Sequence, residues 1–479
     1  MSKPDAPQPQ PRRLVSYAEL QQHNTRADLW VLIAGEVYDA TGIVDAHPGG
    51  VGPLVKHAGK DATKAFTPIH PPGTLDALPP GAHIGTIDPA TVPHGRDADA
   101  PSAEERRIAS ARAALPVPGA ALNLVEIEEL AKTVLSETAW AYYRSAGDDC
   151  NSYDENRAAF KRFWFRPRVM NKIWHATTEC KQFGYPSTLP IWICPAALAR
   201  LGHPDGEMNL TRAAGKEGIL QGLSNNSSCS VDEIMSVKAP NQHIIFQLYV
   251  NKDRPKTAAL LPTLRARGFS ALMVTVDAAV SGKRELDMRT KGDFAGPAGG
   301  KSQQGSGAGV GLSISGYQDP DVCWDDIQWF RSLTDLPLIL KGIQCVEDAV
   351  KAFEEYHVDA IVLSNHGGRE LDFSPAPITV LYELQQQRPD ILQKYEVHID
   401  GGITRGTDVL KALCLGARGV GLGRAFLYGN GCWGEEGAQR VIEIMREEIK
   451  TGMQLMGVTR LERLGPQLVR YEGVARSRL

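Results

Sequence analysis

Downstream of residue 119 the chain repeats one pattern: a short apolar run, a polar or glycine-rich end, then a segment mostly long enough for a helix. In order the runs are PIWICPAAL, GILQGLS, HIIFQLYV, ALMVTVD, LPLILKG, AIVLSNHG, EVHIDGG and GVGLGR. They are continuously apolar, as strands covered on both faces by helices should be. Eight such β/α units predict a closed (β/α)8 barrel of the TIM type. Upstream, WVLIAGEVYDAT is a strand-like stretch that runs into Pro/Gly turns.

This punctuation divides the chain. Residues 1–11 are a Pro/Gln-rich tail expected to be disordered, and 12–92 are a first domain. Residues 93–118 are charged, Ala-rich and Pro-bounded, which predicts a linker with room for one short helix. The barrel spans 119–465, and 466–479 form a C-terminal tail. Between the fourth and fifth runs, residues 290–318 are rich in Gly and Ser. A connection of that length predicts a mobile loop near the site.

Composition narrows the function classes. The chain has 52 basic and 56 acidic residues, a net charge of −4, and no Lys/Arg cluster, which argues against a nucleic-acid partner. Its eight cysteines are scattered without a CxxC pair, so they read as reduced thiols and not as a disulfide framework or zinc site. No apolar run reaches the ~18 residues that a membrane span needs. The N-terminus lacks the apolar core of a secretory signal. A soluble intracellular protein is expected.

Two histidines carry the chemistry of the first domain: His47 in HPGG and His70 in FTPIHPPG. A neutral imidazole on each face of a heme iron gives six-coordinate iron. Such iron has no open position, so it moves electrons and does not bind oxygen or substrate. The competing reading is two ordinary histidines in Pro/Gly turns. With its Tyr-Ala-Glu-Leu helix start, WVLIAGEVYDAT, HPGG and AGKDATKAF, the segment 12–90 resembles a cytochrome b5 domain. The resemblance implies an α+β fold holding heme b, with His47 and His70 as the axial metal ligands.

Polar residues end nearly every barrel run: Ser224, Gln247 and Tyr249, Thr275 and Asp277, Lys341, His366, Asp400 and Arg424. In such barrels the active site lies at the carboxyl ends of the strands. SNHGGRELD offers His366 as a base, with Arg369 three residues on as a bidentate carboxylate clamp. Asp277 could stabilise the imidazolium formed when His366 takes a proton. Tyr142 and Tyr249 offer hydroxyls to a substrate. Lys341 would face the part of a flavin that gains electron density on reduction. DGG (Asp400, Gly401, Gly402) and GLGR (ending Gly423, Arg424) suit a phosphate site.

Residues 122–465 resemble the FMN-dependent α-hydroxy-acid oxidising family through AWAYYRS, FQLYVNKDR, TVDA, KRELDMR, LILKG, LSNHGGRELD, DGGITRGTDVLKALCLGA and GVGLGR. A heme domain followed by this barrel is the order of the flavocytochrome b2 branch, the cytochrome-type L-lactate dehydrogenases. The resemblance implies oxidation of a small L-2-hydroxy acid to the 2-keto acid. Electrons would pass from FMN to heme and on to a one-electron acceptor such as cytochrome c. It implies His366, Asp277, Tyr249 and Arg284 as catalytic residues, with Tyr142, Arg369, Tyr249 and Asn226 around the substrate. Ser224, Gln247, Thr275, Lys341, Asp400, Gly401, Gly402, Arg405, Gly423 and Arg424 would hold FMN. A homo-tetramer is implied as well.

Three departures qualify the match. Thr404, followed by Arg405, stands where the family's phosphate site places an arginine, and Pro195-Ala196-Ala197 lacks the usual threonine. Asn226 replaces a bulky apolar residue, which predicts a polar contact to the substrate side chain. The ending Ser477-Arg478-Leu479 resembles a peroxisomal address; the cytoplasm and the mitochondrial intermembrane space are the alternatives. A peroxisomal setting would favour an oxidase that passes electrons to oxygen and makes hydrogen peroxide. A third reading, a non-catalytic redox-binding module, requires a damaged catalytic set, and the set is complete.

Overall fold

A computed structural model describes residues 13–45, 47, 51–93, 101–290 and 310–473. These fall into two compact units, divided after Ser102. In the first, Asp28–Ile33 pairs with Glu36–Asp39, with Asn24–Thr25 and with Lys60–Asp61. His83–Ile87 then joins Glu36–Asp39 to Leu14–Val15. The period of two along Asp28–Ile33 feeds two cores. Leu29, Val31 and Ile33 meet Ala58 and Ala62, with Leu54 and Phe66 packed against them. Trp30 and Leu32 face the other way, onto Val15, Leu20, Val37 and Ile87. Ser16 caps the helix Tyr17–Gln22 by accepting from the Glu19 amide.

The second unit is a closed parallel barrel of eight strands. They are β1 (Ile191–Ile193), β2 (Leu220–Ser224), β3 (Ile244–Leu248), β4 (Ala271–Thr275), β5 (Leu338–Ile343), β6 (Ala360–Leu363), β7 (Glu396–Ile399) and β8 (Gly419–Leu422). All eight apolar runs form strands. Trp192, Leu220, Ile245, Met273, Ile339 and Val362 fill the barrel interior, while helices cover the outside.

Three expected boundaries shift. Ala103–Ala113 is a helix of the barrel unit, so this part of the expected linker is docked: Arg107 donates to the Thr133 and Leu135 carbonyls. Val310–Ser315, inside the segment expected to be a mobile loop, is a helix anchored by Asp287, which accepts from the Val310 and Gly311 amides. Residues 466–471, expected in the tail, form a 3-10 turn and a strand, Val469–Tyr471, paired antiparallel with Phe163–Phe165. The hairpin Cys180–Gln182/Tyr185–Ser187, not foreseen, presents Phe183 against His398 at 3.8 Å and Trp192 at 5.3 Å. The tail 1–11, most of the Gly-rich segment and Ser477–Leu479 lie outside the described residues.

Candidate active site

In the first unit the His47 and His70 ring centroids are 6.1 Å apart. Two metal–nitrogen bonds of about 2 Å each, with the ring radii added, need about that separation. His70 Nδ1 lies 3.1 Å from the Phe66 carbonyl oxygen. A carbonyl can only accept, so Nδ1 carries the proton and Nε2 is the nitrogen suited to a metal. The Phe66 ring stacks on His70 at 4.1 Å and holds its plane. The geometry suits axial ligation better than two unrelated turn histidines.

In the barrel, the polar strand ends converge. His366 Nδ1 is 2.8 Å from Asp277 Oδ1, and the Asp277 side chain is fully buried. Burial would raise the Asp277 carboxyl, but the Lys341 and His366 charges outweigh it and hold it below its ordinary value. An ionised carboxylate only accepts. His366 Nδ1 is therefore the donor, and the basic Nε2 faces the Tyr249 hydroxyl at 3.3 Å. Burial first, then the Asp277 and Glu370 charges, push Tyr249 well above its ordinary value, so it keeps its proton.

The local sequence explains the pose. His366, Gly367 and Gly368 all have positive φ, at 57°, 65° and 76°. A Cβ on Gly368 would come within 2.5 Å of the Tyr153 amide nitrogen. Gly342, at φ 114°, lets Asp277 approach where a Cβ would sit 2.6 Å from its side chain. Ser364 Oγ accepts from both Lys341 Nζ (3.0 Å) and the His366 amide (3.1 Å), tying the lysine to the base-bearing loop.

Lys341 lies 3.8 Å from Asp277 Oδ2 and 3.4 Å from Asp400 Oδ2. Burial alone would lower its pKa; the two carboxylates raise it instead, so it stays charged. Asp400 Oδ1 is buried without a hydrogen-bond partner among the described residues. Arg424 donates to the carbonyls of Tyr143, Gly367 and Ser145. That uses three of its five N–H groups, and no carboxylate pairs with it among the described residues. Burial, then Arg369, lowers it to about 10. Gly401 and Gly402 turn with φ of 82° and 78°. One cavity is lined by Tyr249, His366, Lys341, Asp400 and Arg424.

A model of the FMN-dependent dehydrogenase family matches residues 131–471. The chain belongs to the FMN-dependent dehydrogenase family. Residues 16–88 match a cytochrome b5-like heme/steroid binding domain. The L-lactate dehydrogenase (cytochrome) of Saccharomyces cerevisiae is 40% identical over 473 residues, covering 96% of this chain and 80% of that protein. A peroxisomal (S)-2-hydroxyacid oxidase of Arabidopsis thaliana is 38% identical over 357 residues, covering 73% of this chain and 97% of that protein. The flavin-binding domain of baker's yeast flavocytochrome b2 matches with a TM-score of 0.70 at 39% identity, over 78% of this chain and 92% of that one.

FMN is thus the barrel's cofactor, and the residues present fit it. A half-buried cation without a carboxylate partner among the described residues and two glycine turns suit a phosphate, while Lys341 and the unpaired Asp400 oxygen suit polar ring atoms. Gln247 donates to Thr275 Oγ1 at 3.0 Å, and Ser224 Oγ accepts the Asn226 amide at 3.1 Å, fixing three of the expected flavin contacts.

Several expected roles change. Arg405 points away from the cavity: it pairs with Glu448 at 2.8 Å, half-exposed, because its turn caps the next helix. Asn226 lines the cavity, but its amide donates to the Ile314 carbonyl (3.2 Å) and accepts from the Tyr317 hydroxyl (2.7 Å). Its hydrogen bonds go to the segment after the Gly-rich stretch, not to the cavity. Arg284 pairs with Glu370, a buried partner that sequence reasoning missed. Arg369 spends one amino group on the Tyr142 and Tyr143 carbonyls and lies 5.1 Å from the Tyr142 ring, leaving part of its fork for a ligand. The roles of Ser364 and Tyr317 were also missed: Ser364 opens the SNHGGRELD motif and Tyr317 stands in none, and only the fold shows what either bonds.

Proposed function

We propose that this chain oxidises a small L-2-hydroxy acid of the L-lactate kind to the 2-keto acid and delivers the electrons through heme b to a one-electron acceptor protein such as cytochrome c. The observation that carries the reading is the half-buried Asp277–His366–Tyr249 chain at the strand ends, beside a cavity lined by Lys341, Arg284 and Arg369. FMN, when bound, takes the two electrons of the alcohol oxidation. Arg369 and Tyr142 hold the substrate carboxylate and orient the C2 carbon. Tyr249 meets the C2 hydroxyl. His366 Nε2 takes the proton, and Asp277 stabilises the imidazolium that forms. Arg284, held by Glu370, is placed beside the position where charge develops on the keto acid. Lys341 stays protonated and compensates negative charge arriving on the flavin side. In the first unit, His47 and His70 would hold the heme iron.

The alternative, an oxidase using oxygen, has less support, because the oxidase relative covers 73% of this chain while the cytochrome-type relative covers 96%. No helix among the described residues is long and apolar enough to cross a membrane. We assign the enzyme a homo-tetramer by family likeness. The test is product analysis: the holoenzyme should convert L- but not D-2-hydroxy acids to 2-keto acids with cytochrome c as acceptor. Oxygen supporting faster turnover than cytochrome c, with peroxide formed, would favour the alternative.

A further inference from the structure

We propose that Gln318 reads a hydroxyl on the substrate's side chain, so that the enzyme favours a 2,3-dihydroxy acid of the L-glycerate kind over L-lactate. The proposal rests on the 2-hydroxy-acid reading above and names its substrate class. The cavity wall that holds Gln318 carries several polar groups, and most are already satisfied within the protein. The Asn226 amide is taken by Ile314 and Tyr317. The Ser281 and Ser315 hydroxyls bond to each other. Arg284 is paired with Glu370.

Gln318 differs. Its backbone is pinned: its amide donates to the Ser315 carbonyl at 3.0 Å, it bridges to Asn251, and the next residue, Asp319, donates to Val250 at 2.8 Å. Those contacts set it beside the end of β3, where Tyr249 stands. The residue is only 7% exposed and lines the same cavity as Tyr249 and His366. Among the described residues its side-chain carboxamide has no hydrogen-bond partner.

A buried carboxamide facing a substrate site discriminates by what it loses. A hydroxyl on C3 can donate to its oxygen or accept from its nitrogen. A methyl in the same place displaces water and leaves the amide unpaired. Sites built to bond a hydroxyl reject the analogue that lacks it far more strongly than apolar pockets reject an added hydroxyl. A neutral hydroxyl fits better than a second carboxylate, because Arg284 is already committed to Glu370.

The test compares the second-order rate constants of anaerobic flavin reduction for L-glycerate and L-lactate in the holoenzyme and in Gln318→Met, which keeps length but loses both polar groups. The unaltered enzyme should favour L-glycerate by about 10-fold. In Gln318→Met the ratio should fall to about one or below. A ratio at or below one in the unaltered enzyme, or the same ratio in both proteins, would overturn the proposal. The unaltered enzyme decides the matter alone if the variant does not fold. If no L-2-hydroxy acid bleaches the flavin, the oxidation reading itself fails, and this proposal with it.

Discussion

Replacing Asp277 with asparagine isolates one charge in the site. The carboxylate lies 2.8 Å from His366 Nδ1 and is fully buried. When His366 takes the substrate proton, a cation forms beside that carboxylate. Two unit charges about 4 Å apart interact by about 4 kcal/mol at an effective dielectric near 20. The imidazole ring is 18% exposed, so solvent screens part of that interaction and reduces it to roughly half in the limiting case. Asp277→Asn should therefore raise the barrier by about 2–4 kcal/mol, slowing flavin reduction roughly 30- to 1000-fold. Lys341 retains Asp400 at 3.4 Å, so FMN should remain bound. Anaerobic stopped-flow at saturating substrate measures the rate, and the flavin spectrum reports occupancy. A loss below threefold with FMN retained would refute the electrostatic role; loss of FMN would make Asp277 a structural residue.

Three further outcomes follow from named contacts. His47→Ala or His70→Ala should abolish the low-spin bis-imidazole heme spectrum while flavin reduction survives; a retained low-spin spectrum would exclude that ligand. Arg424→Gln should weaken FMN binding to the apo-protein by roughly 10- to 100-fold, the worth of a charge-assisted bond, yet leave riboflavin binding unchanged in fluorescence titration. Because burial holds the Tyr249 hydroxyl well above 10, its deprotonation should cause no alkaline loss of activity between pH 7 and 10. Tyr249→Phe should lower the rate without moving that part of the profile, and a shifted alkaline limb would count against it.

The barrel was legible because strands buried on both faces leave unbroken apolar runs, and closure at eight follows from their number. The reactive ends were legible because His366, Asp277 and Lys341 sit where strand geometry aims them. Other features depend on contacts between distant segments. Glu370 follows Arg369 in a motif, but its pairing with Arg284 needs the fold. Asn226 looked like a substrate contact because its position was known and its partners, Ile314 and Tyr317, were not. Arg405 has the right residue type for a phosphate, but its turn caps a helix and delivers the guanidinium to Glu448. The helix Ala103–Ala113 carries little amphipathic pattern, so its docking through Arg107 was invisible in the sequence.

The central claim is that electrons leave the hydroxy acid in the barrel, at His366, and reach heme only afterwards. Anaerobic mixing of the holoenzyme with an L-2-hydroxy acid, followed at flavin and heme wavelengths together, tests it most directly. Flavin bleaching should come first and heme reduction second, and His366→Gln should slow both by several orders of magnitude. Heme reduction that precedes flavin bleaching, or that keeps its rate in His366→Gln, would contradict the account.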